Sequence, residues 1–267
     1  MHQQFFEENK KLWNDRVAVH MKSGLYDMEG FMAGKSSLTE IDKNAFGDVR
    51  GKTLLHLQCH FGQDTLSWAR QGARVTGVDF SEKAIEAATA IGLELGLEAR
   101  FILSNVYDLP QVLDEKFDLV FTTFGAIPWL PDMEKWASVV AKYLKPGGLL
   151  FLAEFHPTLY LFNFDNYKLE YGYFTESEPF SEDVEGSYAD PEKKTKGKEH
   201  FWNHALSEVI GPLLENGLSL QELREFDFSP YNCFPNMEER QPGRYVWGNS
   251  GVRIPHVFSL KMQMGTR

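Results

Sequence analysis

Between residues 50 and 155, five short apolar runs alternate with helical patterns, and this alternation constrains the fold more than any other feature. The runs are Thr53–Cys59, Arg74–Phe80, Arg100–Val106, Phe117–Thr123 and Leu149–Phe155; the helical patterns between them are Asp64–Gln71, Glu82–Leu95 and Met133–Leu144. Strands separated by helices of this length pair in parallel through right-handed crossovers. The second helix opens with Ser81 as its cap and Glu82 in its first turn, where the helix dipole favours negative charge. The third is expected to stop at Lys145-Pro146-Gly147-Gly148, followed by a tight turn. A doubly wound α/β sheet is the expected architecture.

Two regions break the alternation. Residues 1–50 read as a helical cover, an amphipathic helix carrying Phe5, Phe6, Asn9, Trp13 and Val17 followed by a glycine-bearing loop. Residues 156–200 form an insertion within the main domain of residues 51–267, rich in aromatics and poor in periodicity. An insertion after a strand end is well placed to cover a ligand crevice as a lid; a mini-core or a dimer contact is the equal alternative. A helix over His204–Asn216 and strands over Ser219–Phe228 and Val257–Gln263 are expected to complete the fold. The connection from Ser229 to Ile254 is expected to wrap the surface.

The formal net charge of -11 repels phosphate backbones and anionic lipid, which argues against nucleic acid as a partner. The basic run Lys193–Lys198 lies among acidic residues and reads as a solvated loop. Two cysteines supply neither a disulfide framework nor a cysteine-based zinc site, and no metal is called for. No apolar leader or membrane-length span is visible, so a cytoplasmic protein is expected. Aromatic content of 14% exceeds what a core of this size usually needs, which points to a ring-lined pocket.

In such a sheet, ligands bind at the carboxyl ends of the strands. The stretch LLHLQCHFGQDTL, Leu54 to Leu66, runs from a strand through a turn into a helix. About twenty residues downstream, Asp79 ends the next strand, where a carboxylate accepts hydrogen bonds from both hydroxyls of a ribose. A pyrophosphate needs glycines so that backbone can approach it. Gln58 and His60 occupy two of those positions and only Gly62 remains. A nucleoside with a short amino-acid tail and no phosphates fits better. Asp79 has a local alternative as part of the Ser81 cap, and His60 as a loop histidine satisfied by backbone.

The ordered segments LLHLQCHFGQDTL, VTGVDFS, FILSNVYDLP, FDLVFTTFGAIPWLPD and YLKPGGLLFLAEFHP resemble the class I S-adenosylmethionine-dependent methyltransferases, in the small-molecule branch. The resemblance implies a Rossmann-like seven-stranded sheet whose last strand, VFSLKMQ, is antiparallel and closes the sheet. It implies S-adenosylmethionine as cofactor, a methionine-binding turn at Gln58, Cys59, His60 and Gly62, and a ribose site at Asp79 with Phe80. Adenine would be flanked by Asn105, Val106 and Tyr107, and the sulfonium by Thr123 and Phe124. The chain departs from the pattern at His56, where an acid is usual, at Gln58 and His60 in place of glycines, and at Asn105 in place of an aspartate.

Methyl transfer is an in-line displacement in which alignment of the reactants supplies about 7–11 kcal/mol. Rings also attract a cationic sulfonium. A hydroxyl or amine acceptor must lose a proton, and His156 and His204 are the candidate bases, with Glu154 as the carboxylate alternative. The segment after FDLVF lacks an Asn-Pro-Pro-Tyr-type clamp, and Cys233 lacks the setting of a pyrimidine-attacking nucleophile. The expected partner is a small-molecule methyl acceptor. A cofactor-binding protein without transferase activity, and a NAD(P)-dependent oxidoreductase, are the competing readings.

Overall fold

The computed structural model describes residues 2–164, 166–190, 195–247 and 252–266; Lys193 and Lys194 of the basic run lie outside the described residues. The chain opens with α1 (Gln3–His20) and the short α2 (Met28–Met32). It then alternates β1 (Thr53–Leu57), α3 (Gln63–Arg70), β2 (Arg74–Asp79), α4 (Glu82–Glu94) and β3 (Ala99–Leu103). After β4 (Phe117–Thr123), α5 (Met133–Tyr143) leads into β5 (Leu144–Phe155). A hairpin of β6 (Phe180–Glu185) and β7 (Lys196–Phe201) precedes α6 (Leu206–Glu215) and β8 (Leu218–Phe226). A second hairpin, β9 (Met237–Gln241) and β10 (Arg244–Trp247), leads to β11 (Val257–Met264).

Seven strands form one sheet in the order β3-β2-β1-β4-β5-β11-β8. The pairs among β1 to β5 are parallel, and β11 runs antiparallel to both neighbours. The last strand therefore has the expected direction but inserts between β5 and β8, and β8 forms the edge. Alternate residues of the central strands feed two separate cores, as a sheet covered on both faces requires. Leu55, Leu57, Val120 and Leu150 pack with Trp136 and Val140 of α5. Leu54, Phe121 and Phe151 pack on the other face with Trp68 of α3 and with residues from Leu38 to Val49.

The Lys145–Gly148 segment departs from expectation. It ends α5, but no tight turn follows; β5 starts at Leu144 and absorbs the segment as a bulge. Leu144 pairs with Phe117 and Leu149 with Leu119, so the bulged strand carries extra residues there. Gly147 takes φ 74°, and a Cβ on Gly148 would lie 2.9 Å from the Lys145 carbonyl and 3.0 Å from that of Asp118.

Both hairpins went unread in the sequence. FSEDVE and KGKEHF carry little apolar alternation, and only pairing across the hairpin makes them strands. The second hairpin turns at Pro242-Gly243, with Gly243 at φ 71°, a dipeptide that does signal a turn. The buried face of α1 also differs from an apolar stripe. It comprises Asn9, Leu12, Arg16, Val17 and His20, while Phe5 and Phe6 are half-buried. The Asn9 amide donates to the His200 carbonyl at 2.8 Å and accepts from the His200 N–H at 2.9 Å, tying α1 to β7. Among the described residues no helix is long and apolar enough to cross a membrane.

Candidate functional site

The carboxyl ends of β1, β2 and β4 open into a cavity of about 1050 Å³, roofed by α1, the β6–β7 hairpin and the loop after β8. Its floor is the turn between β1 and α3. Gln58 takes φ 58°, His60 φ 50° and Gly62 φ 80°, so the backbone keeps a glycine-like course where two side chains replace glycines. Holding a non-glycine residue there costs about 1–3 kcal/mol each, a strain that clusters at functional sites. At Gly62 the constraint is absolute: an added Cβ would meet the Phe101 ring at 2.8 Å and the Ala88 Cβ at 2.9 Å. Gly62→Ala is expected to destabilise the chain by about 2–3 kcal/mol, from strain and overpacking together. A urea midpoint unchanged from the parent would contradict this.

The Gln58 amide donates to the Ala126 carbonyl at 2.7 Å, while its Oε1 is buried with no hydrogen-bond partner. The His60 backbone N–H donates to Asp79 Oδ2 at 2.8 Å and the Ser81 N–H to Oδ1 at 2.9 Å. Burial pushes the Asp79 carboxyl up to about 6, against the pull of these N–H donors. Asp79 does support the Ser81 turn, yet Ser81 itself caps α4 by accepting from the Ala84 N–H at 3.1 Å. Asp79 also lines the cavity, so its local role does not remove it from the crevice.

Gln58, Cys59, His60, Gly62, Asp79 and Phe80 all line the cavity, as do Asn105, Val106, Thr123 and Phe124. Tyr107 does not. Its hydroxyl donates to the Asp132 carbonyl at 2.8 Å and receives the Asp132 N–H at 2.9 Å, tying the loop after β3 to the start of α5. The Asn105 Oδ1 accepts from the Tyr107 N–H at 3.0 Å, which fixes the amide's orientation. His56 is buried and its Nδ1 lies 2.8 Å from Thr65 Oγ1, a neutral link between β1 and α3 where an acid is usual.

The candidate bases fall outside the cavity lining. His156 is buried, with Nε2 2.9 Å from Glu225 and Nδ1 accepting from the Thr158 N–H at 3.1 Å. His204 donates from Nε2 to the Leu130 carbonyl at 2.8 Å, and its Nδ1 lies 2.7 Å from Thr175 Oγ1. Every ring nitrogen is occupied, so both histidines are structural ties. Glu154 accepts from the backbone N–H groups of Gly125 at 2.5 Å, Ala126 at 2.8 Å, Ile127 at 3.2 Å and Phe155 at 2.7 Å. It shapes the loop after β4 and has no lone pair left for a substrate proton.

His60 is satisfied by a partner the sequence did not suggest: its Nε2 lies 2.9 Å from His20 Nδ1, and His20 Nε2 lies 2.6 Å from Ser187 Oγ. Burial lowers His60 to about 3 and His20 to about 2, with nearby Arg16 contributing to both, so the pair is neutral. Arg16 and Asp64 are further cavity residues missed in the sequence. Arg16 is 4% exposed, pairs with Glu199 at 2.9 Å and keeps an unpartnered Nε. Its signal was present: polar residues at 9, 16 and 20 share a helical face with Leu12 and Val17.

The sheet order defines a Rossmann-like fold, with Asp79 and the β1–α3 turn lining one cavity at the strand ends. Residues 54–148 match the family described as "Methyltransferase domain". A ubiquinone biosynthesis O-methyltransferase of Xanthomonas oryzae pv. oryzae is 32% identical over 111 residues, 42% of this chain and 46% of that protein. One of Alkalilimnicola ehrlichii is 30% identical over 118 residues, 43% of this chain and 47% of that protein. The chain thus spans about half the length of the curated relatives it matches. Among solved structures, a SAM-dependent methyltransferase from Methanosarcina mazei aligns with TM-score 0.55 at 22% identity, covering 86% of this chain and 99% of that chain. A structure described as a DhpI–SAH complex aligns with TM-score 0.58 at 15% identity over 98% of both chains. Residues 54–148 are thus similar to a methyltransferase domain, and the seven-stranded sheet that contains them has the fold seen in these solved structures.

Proposed function

We propose that this protein transfers a methyl group from S-adenosylmethionine to an oxygen or nitrogen atom of a small molecule. The observation that carries the proposal is that Asp79 and Gln58, whose Oε1 is buried without a hydrogen-bond partner among the described residues, line one cavity at the strand ends. The residues suit each part of this cofactor. Asp79 accepts from the ribose hydroxyls, Gln58 Oε1 from the ammonium of the amino-acid tail, and the guanidinium of Arg16 donates to its carboxylate. Phe80 and Val106 give apolar contact to the adenine ring. When bound, the cofactor supplies an activated methyl group on a sulfonium that is its own leaving group.

The chain's part is alignment and exclusion of water. Phe124 packs edge-on against Tyr231 at 5.2 Å and Phe155 against Phe234 at 4.9 Å, forming an aromatic wall beside Thr123. The similarity to O-methyltransferases of ubiquinone biosynthesis and to a complex with S-adenosylhomocysteine supports this reading. The net charge of -11 supports a small molecule over nucleic acid, and the two free cysteines suit a cytoplasmic setting.

Calorimetry with S-adenosylmethionine, S-adenosylhomocysteine and NAD tests the proposal. Micromolar binding of both adenosyl ligands and none of NAD is expected; binding of NAD alone overturns it. A second expectation concerns pH. Ribose hydroxyls donate to the ionised Asp79 carboxyl, so ligand binding expels a proton wherever the free site is protonated. Affinity should be flat above pH 7 and fall as pH drops through about 6, approaching tenfold per unit. The stability linkage has the opposite sense. With its folded value above the unfolded one of about 3.9, Asp79 favours the folded ligand-free chain at low pH, and that contribution is lost as pH rises through about 6. Equal affinity at pH 5 and 7.5 would remove Asp79 from the ribose role.

A further inference from the structure

Seven carboxylates and two cations line the cavity among the described residues, more acids than the cofactor's ammonium and sulfonium could pair with. Most of these carboxylates have partners. Asp27 pairs with Lys35 at 2.7 Å, Glu199 with Arg16 at 2.9 Å and Glu185 with Lys196 at 2.5 Å. Asp79 takes backbone N–H groups, and Glu182 accepts from the Tyr171 hydroxyl at 2.8 Å. Asp183 is exposed on β6. Asp64, in the first turn of α3, is different: it is half-buried at the cavity wall, and no cation pairs with it among the described residues.

Its Oδ1 accepts from Ser37 Oγ at 2.6 Å, and the Thr123 hydroxyl is its other polar neighbour. Behind it sits Asp42, fully buried, whose Oδ2 accepts from Thr39 at 2.9 and 2.7 Å while Oδ1 has no hydrogen-bond partner among the described residues. The two carboxyls are close enough for Asp64 to help raise Asp42 to about 7, behind burial as the larger cause. A cation entering the adjoining space would favour ionisation of both acids, so the pair is suited to hold one. That space is walled by Phe124, Phe155, Tyr160, Tyr231 and Phe234, whose ring faces also attract a cation.

We propose that the methyl acceptor is a primary or secondary amine on an aromatic or apolar body, captured as its ammonium by Asp64 with Asp42 behind it. The inference rests on the methyltransferase reading above and selects nitrogen over oxygen. Asp64 also solves the proton problem that His156 and His204 do not. It takes one N–H proton from the bound ammonium, leaving a nitrogen lone pair. That pair forms the new bond to the donor methyl carbon while the electron pair of the carbon–sulfur bond stays on sulfur, and the product carries its charge as a methylated ammonium. Thr123 and Ser37 hold the carboxylate in place beside the end of β4.

Tyramine and 4-hydroxyphenylacetate, matched in ring and size but opposite in charge, are suitable probes. Calorimetry on the full chain saturated with S-adenosylhomocysteine should show tyramine binding at least tenfold tighter than the acid. Asp64→Asn should abolish that preference and leave S-adenosylhomocysteine affinity within twofold, which also shows that the variant is folded. Asp42→Asn should weaken tyramine by a smaller factor. Equal or tighter binding of the acid overturns the amine assignment, and so does binding of neither probe. Loss of S-adenosylhomocysteine affinity in Asp64→Asn overturns it differently, by assigning Asp64 to the cofactor's own ammonium. Failure of S-adenosylhomocysteine to bind the parent chain would strike the methyltransferase reading itself and is seen before any amine is added.

Discussion

Asp79→Asn is expected to weaken S-adenosylmethionine binding about 100-fold. Two hydrogen bonds from ribose hydroxyls to a carboxylate are charge-assisted, worth about 1.5–3 kcal/mol each. The amide keeps one neutral acceptor and turns the other position into a donor facing a donor. A net loss of about 3 kcal/mol corresponds to roughly two decades of affinity. Asparagine is the informative variant because it keeps an oxygen for the His60 or Ser81 N–H, which alanine would strand together. Removing an enclosed charge also relieves desolvation, so thermal stability at neutral pH should hold or rise slightly while affinity collapses. Affinity within threefold of the parent would show that the ribose is held elsewhere.

The second large effect is structural. Glu154→Ala should destabilise the chain by about 4 kcal/mol in urea unfolding, since four backbone N–H groups converge on that one buried carboxylate. Each stranded buried donor costs about 1–3 kcal/mol, partly recovered by relaxation or water entry. Glu154→Gln keeps one oxygen and should fall between the two. Burial holds the Glu154 carboxyl above the usual carboxylate range. Because Ala126 also receives the Gln58 amide, loosening this loop should weaken cofactor binding as well. A change below about 1 kcal/mol would mean that these N–H groups find other partners.

Several features were legible in the chain because they follow from local periodicity. Five parallel strands, the helices between them and the Ser81 cap appear within a few residues of the expected places, since apolar alternation and cap chemistry act over short range. The strand-end position of Asp79 follows from the same count. His156 and His204 illustrate the opposite case. Position at a strand or helix end suggested chemistry, but each ring's nitrogens are taken by Glu225 and Thr158, or by Leu130 and Thr175, and of these partners all but Thr158 are far away in sequence. Tyr107 adjoins the cavity residues in sequence and still turns away from them to bind Asp132.

The sequence by itself determined the α/β sheet and the place of Asp79 and Gly62 at its strand ends, because both follow from the local spacing of strands, turns and helices. Only the tertiary structure decided which polar groups remain unsatisfied once the chain has packed. Arg16 reaches the crevice because α1 lies against β7, and Asp64 has Asp42, from a segment before the sheet, beside it and no paired cation among the described residues. Gln58 commits its amide N–H to Ala126 and leaves its buried Oε1 without a hydrogen-bond partner among the described residues. Hydrogen-bond saturation and charge compensation are sums over neighbours brought together from the whole chain, and no local pattern encodes such a sum.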